Sequence, residues 1–217
     1  MTHSLSEVEA TARKAARGVG LPWGFADEAG QAIGWLCGAG LDGVRALADH
    51  VEASDGTDVL HCAPRSLDGV WRAARGPVLC PLQTGCALSD DVAAWAEPGL
   101  RLKRMSAPLL LLPFAARAAR RMGRTAIVMA DSAVARVFAN HAVLVPNADG
   151  SFPAMAAELV VALGEPDGAA PAPAPFSRFT PDPGAWARLN LFAQRVYAPE
   201  TDASRLTGAG AGLSDND

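Results

Sequence analysis

Between Arg101 and Arg124 the chain carries Arg101, Lys103, Arg104, Arg117, Arg120, Arg121 and Arg124, with no acidic residue among them. These are seven of its 19 positive charges, in a protein of formal net charge −4. Guanidinium groups grip carboxylate and phosphate through paired hydrogen bonds, so a dense arginine set can hold a small anion or dock an acidic segment. The chain has such a segment. Residues 195–217 (RVYAPETDASRLTGAGAGLSDND) alternate Gly208, Gly210 and Gly212 with alanine and finish on Asp215, Asn216 and Asp217. Glycines at this spacing let backbone amides approach an anion, but a phosphate cradle needs a strand before it and a helix after it. Dinucleotide binding is therefore not expected. The acids are read as partners for a basic surface rather than as ligands to Mg²⁺ or Ca²⁺, and the segment as an ordered clasp on Arg101–Arg124, in the same subunit or in a second one. The site candidates are Arg117, Arg120 and Arg121 from the cluster, with Arg195, Tyr197, Glu200, Ser204, Arg205, Asp215 and Asp217 from the terminal segment.

Other reactive residue types are weaker signals. His61-Cys62, Cys80 and Cys86 match no structural-zinc spacing, so no metal is expected. Cys62 beside His61, or Cys86 after Gly85, could serve as a thiol nucleophile if the fold supplied a base, but neighbouring residues on a strand face opposite ways and buried free cysteine is the better reading. His50 and His141 show no partner in the sequence. Gly-x-Ser-x-Gly, His-Glu-x-x-His and Walker-type loops are lacking, and no cofactor is expected. Trp23, in the turn GVGLPWG, is the interface candidate, because tryptophan anchors protein contacts.

The elements that must position these residues can be read from periodicity. Ser6 and Glu9 suggest a capping box opening a helix whose apolar face is Val8, Ala12, Ala15 and Ala16. A second helix follows Pro22 to about Cys37, with Phe25, Ala29, Ile33 and Leu36 on one stripe. Gly24, Gly30 and Gly34 also lie on it, and glycine kept inside a helix signals another backbone close by. Asp42 caps a third helix through Val51, so residues 1–52 form a helical block. Residues 53–98 are less regular: Leu67–Ala74 reads as a helical turn or a strand, and Asp90–Trp95 as one helical turn. From Leu100 the period becomes two. Strands are expected from Leu100, at Thr125–Met129, Ala133–Phe138 and Ala142–Val145, with turns at Ala130-Asp131 and Asn140-His141, and Glu158–Leu163 reads as one more strand or as a helix. PLLLLP at 108–113 reads as a strand covered on both faces, and Phe114–Met122 as a helix closed by Gly123. Six of the 16 prolines fall between Pro166 and Pro183, which makes 164–184 an extended connector into a last helix, Pro183–Arg195.

The whole is expected to be one domain of 217 residues: a helical block (1–52), a sheet-rich core (100–163), the connector (164–184), and a helix with its terminal segment (185–217). The fold class is α+β, with the helical block packed on a mainly antiparallel sheet. A net acidic chain with a pI near 5.6 argues against a general nucleic-acid binder. The longest apolar run, Ala107–Ala116, is too short to span a bilayer, and residues 1–17 show no export signal. A bacterial, cytoplasmic protein with reduced thiols is expected.

Three stretches carry a resemblance. EVEATARKAARGVGLPWGFADEAGQA (7–32), PLLLLPFAARAA (108–119) and YAPETDASRLTGAGAGLSDND (197–217) resemble an uncharacterised proteobacterial family labelled only as a domain of unknown function. That resemblance brings no activity and no catalytic residues. Two function classes remain: a non-catalytic accessory or small-anion-binding protein working through the arginines and the acid-tipped segment, with a small anion, a partner protein or a second copy as its partner; or an enzyme with a polar site assembled from residues 195–217.

Overall fold

The structure, a computed structural model, describes residues 1–67, 69–145, 152–165, 171–172 and 176–197. The chain begins with strand β1 (His3–Ser4), followed by helices α1 (Leu5–Gly18), α2 (Trp23–Gly38) and α3 (Gly43–Ser54). A 3₁₀ turn, Val59–Cys62, leads to the hairpin β2 (Pro64–Leu67) and β3 (Val70–Ala73), then to α4 (Pro81–Asp90) and α5 (Val92–Trp95). Strand β4 (Leu100–Ser106), helix α6 (Leu112–Met122), and strands β5 (Ala126–Ala130), β6 (Ala133–Val137), β7 (Val143–Leu144) and β8 (Met155–Leu163) come next. Strand β9 (Arg178–Phe179) and helix α7 (Pro183–Gln194) follow.

The fold is α+β. Seven strands form one sheet in the order β2-β3-β4-β8-β5-β6-β7, in which only β3 and β4 run parallel, and β1 pairs with β9 in a separate two-stranded ribbon. One sheet face carries the core: Leu100 and Leu102, Val128, Ala135, Leu159 and Val161 are buried, while their neighbours Arg101, Met129, Arg136 and Glu158 are exposed. That alternation is the period of two expected of a half-buried sheet. Helix α6 covers the buried face over β5 and β6, and the α1–α2–α3–α7 layer packs on that side.

The glycines of the helical layer act as predicted at two of the three positions. A Cβ on Gly30 would sit 2.9 Å from the Glu9 carbonyl oxygen, and one on Gly34 would collide with the Glu9 side chain. Glycine thus lets α1 and α2 approach closely. Gly24 meets nothing within 4 Å. Asp42 caps α3 by accepting from the Arg45 amide at 3.0 Å, and Gly123 closes α6 at φ +63°.

Three details differ from the sequence reading. The N-cap of α1 is Ser4, whose Oγ accepts from the Glu7 amide at 3.2 Å; pairing of β1 with β9 fixes Ser4 extended and starts the helix earlier than Ser6. PLLLLP is a 3₁₀ turn at Pro108–Leu111 running into α6 rather than a strand. Ala107 at φ +44° breaks the chain away from β4, and both faces of the run are still covered: Leu109 to Leu112 are all buried. An apolar run alone does not distinguish the two. The connector, finally, contains strand β9, held by the Leu5 amide on the Ser177 carbonyl as well as by β1.

Candidate functional site

A groove of about 640 Å³ is lined by α1, α2, β7 and the residues Pro171, Ala172 and Phe176. Its walls include Glu9, Gln31, Trp35, His141, Val143 and Phe176. The volume lies within the range of small-molecule sites, which are mostly apolar with a few placed polar groups. Phe176 and Leu144 line it while remaining 52 % and 46 % exposed. Large apolar side chains left open to water along a concavity mark a surface built to be covered.

A row of three polar side chains, Trp35, His141 and Arg120, adjoins the groove. Trp35 Nε1 lies 3.2 Å from His141 Nδ1, and Arg120 Nη1 lies 3.3 Å from His141 Nε2. The indole N–H can only donate, so Nδ1 accepts and the neutral ring carries its proton on Nε2. Burial, and then the neighbouring Arg120, push the His141 pKa below its ordinary value, which keeps the ring neutral near pH 7. Nε2–H and the Arg120 N–H then cannot bond each other. They form a pair of adjacent donors that a single anion can satisfy. His141 holds this position at φ +70°, in the turn between β6 and β7.

Arg117 reaches the same wall indirectly. Its guanidinium bonds Glu28 Oε2 at 2.5 Å and Gln31 Oε1 at 3.1 Å, so it orients a groove residue while its charge is neutralised by Glu28. The remaining cations go elsewhere. Arg121 donates to the Asp90 carbonyl, and Arg124 clips the end of α6 to the Leu163 and Gly164 carbonyls and to Glu97. Arg101 and Lys103 lie on β4 and point away from the buried side, where Lys103 pairs with Glu158. The sheet therefore divides the run of positive residues into two surfaces. Of the cluster, Arg120 and Arg117 contact lining residues of the groove, His141 and Gln31, without lining it themselves.

Arg195 forms a two-pronged ion pair with Asp55 at 2.6 and 2.9 Å and stacks over the Phe192 ring at 4.3 Å. This bond holds the Asp55 carboxyl below its usual range and ties α7 to the end of α3. Tyr197 accepts a hydrogen bond from Lys14 Nζ at 2.5 Å. Neither residue lines the groove. Trp23 is 53 % exposed, with the Arg17 guanidinium 5.4 Å from its ring centroid. Glu200, Ser204, Arg205, Asp215 and Asp217, and with them the clasp, lie outside the described residues. Sequence reasoning missed Trp35, Gln31 and Glu9 and gave His141 no partner. The one local signal was a histidine in a turn of the type that needs positive φ.

The fold and groove define an α+β protein with a ligand-sized concavity, two of whose lining residues, Gln31 and His141, contact arginines. No curated protein matches the chain. Residues 3–77 match the family model described as "Protein of unknown function (DUF3726)". This stretch supplies Glu9, Gln31 and Trp35 but not Arg117, Arg120 or His141. Among solved structures, the malate dehydrogenase from Pyrococcus horikoshii OT3 is similar in fold, with a TM-score of 0.50 and 12% identity. The likeness covers 67% of this chain and 50% of that one, so the chain spans about half of that enzyme's length. No helix among the described residues is long and apolar enough to cross a membrane.

Proposed function

We propose that the groove is a non-catalytic binding site for a small organic anion with one acidic end and an apolar body. The observation that supports the reading is the pair of donors, His141 Nε2–H and Arg120, beside an apolar groove that His141 lines. The acid would accept from both, and the apolar part would cover Trp35, Val143 and Phe176. Glu9 in the same groove disfavours a second negative charge, so monoanions are preferred to dianions. All four cysteines are free thiols, which fits a bacterial cytoplasmic setting.

The test is calorimetric titration of the full chain with a series of aliphatic and aryl monocarboxylates, alongside matched dicarboxylates. A charge-assisted hydrogen bond contributes about 1.5–3 kcal/mol, so Arg120→Ala should weaken binding by roughly 10- to 150-fold. Arg121→Ala, whose guanidinium bonds a distant carbonyl, should leave it unchanged. Equal affinity in wild type and Arg120→Ala, or tighter binding of dicarboxylates, would overturn the reading.

A further inference from the structure

A second cavity, of about 120 Å³, shares no lining residue with the groove. Its rim is exposed and comes from Ala53, Thr57, Pro77 and Met155, whereas its floor is buried: His50, Leu79, Cys80 and Ser106. Three of these floor residues form a row. Cys80 Sγ lies 3.6 Å from His50 Nε2, and His50 Nδ1 lies 2.9 Å from Ser106 Oγ. Ser54 Oγ, 3.5 Å from the same Nδ1, is a weaker second contact. Cys80 is also the N-cap residue of α4, although its sulfur makes no capping hydrogen bond. The sulfur thus has an imidazole on one side, the positive end of a ten-residue helix on another, and an opening to solvent beyond.

We infer that Cys80 is a nucleophile, with His50 as its general base and Ser106 as the residue that fixes the imidazole tautomer, and that the site accepts a small acyl group from an activated ester or thioester. When Nδ1–H donates to Ser106 Oγ, the Nε2 lone pair faces the thiol. The Cys80 sulfur attacks the carbonyl carbon and the S–H proton passes to His50 Nε2. The alkoxide or thiolate leaving group then departs with that proton, and the acyl group stays on Cys80 as a thioester. Burial keeps both partners uncharged at rest, raising the thiol to about 11 and lowering the imidazole to about 4, so the proton moves during attack rather than beforehand. The titratable residues lining the cavity are His50 of α3, Cys62 of the 3₁₀ turn and Cys80 itself; the lining parts of β4 and β8, Ser106 and Met155, bring none.

The experiment uses the full chain with p-nitrophenyl acetate, following the burst of p-nitrophenolate and locating the acetyl group by peptide mass mapping. A burst with acetyl on Cys80 is expected. Cys80→Ala should abolish it, and His50→Gln should slow it by about 100-fold or more, the usual worth of a positioned base. In case either variant fails to fold, the wild-type pH profile of Cys80 alkylation by iodoacetamide gives an independent reading. Base assistance predicts a rate that rises through about pH 4–5 and then stays level to about pH 9. An unassisted thiol of such high pKa would react about tenfold faster per pH unit across that range. Acetyl found on another residue, no burst, or the tenfold slope would overturn the assignment.

Discussion

His50 offers a stability test that is separate from its chemistry. The ring is buried on α3, and that burial lowers its pKa from about 6.5 to about 4. A base whose folded pKa is depressed binds protons less readily in the native state than in the unfolded one. Its contribution is intact above the unfolded value and is lost as pH falls from about 6.5 to about 4, below which both states are protonated. The difference of about 2.5 units, at 1.36 kcal/mol each, amounts to about 3 kcal/mol. The assay is urea unfolding of wild type and His50→Gln at a series of pH values from 7.5 to 4. Depressed carboxyls such as Glu7 and Asp55 also lose stability on acidification, but both proteins share them, so they cancel in the difference. The wild-type free energy should drop by about 3 kcal/mol more than that of the variant, whatever the variant costs at neutral pH. Parallel curves would refute the reasoning, because they would mean that the folded protein protonates His50 as easily as the unfolded chain does.

Two further substitutions have opposite expected signs. Gly18→Ala would place a methyl 2.0 Å from the Phe192 carbonyl oxygen and should lower stability by about 1–3 kcal/mol, whereas Gly24→Ala, with nothing within 4 Å, should raise it by up to about 1 kcal/mol in the same thermal melts. Ser4→Ala should cost about 1 kcal/mol through loss of the helix cap, and Ser6→Ala should be nearly neutral; equal effects would put the start of α1 elsewhere.

What could be read without coordinates was local. Asp42, Gly123 and the apolar stripes of α1–α3 encode their elements within a turn or two of chain, and Gly30 and Gly34 announced a close neighbour although they could not name Glu9. Alternating burial at the start of β4 is likewise visible as a period of two. The capping box was misplaced by two residues because the deciding contact is β1 with β9, more than 170 positions apart in the chain.

The helical layer, the mainly antiparallel sheet and the concentrated set of arginines are legible in the order of the amino acids. The tertiary structure alone decided what those arginines face. β4 sends Arg101 and Lys103 out of one side of the sheet, while α6 packs on the other and carries Arg117 to Gln31 and Arg120 to His141. Trp35 and His141 meet across 106 positions, and Cys80 and His50 across 30. Such pairs leave no periodic trace, because strand order and helix packing set their distance rather than anything within a local window of chain.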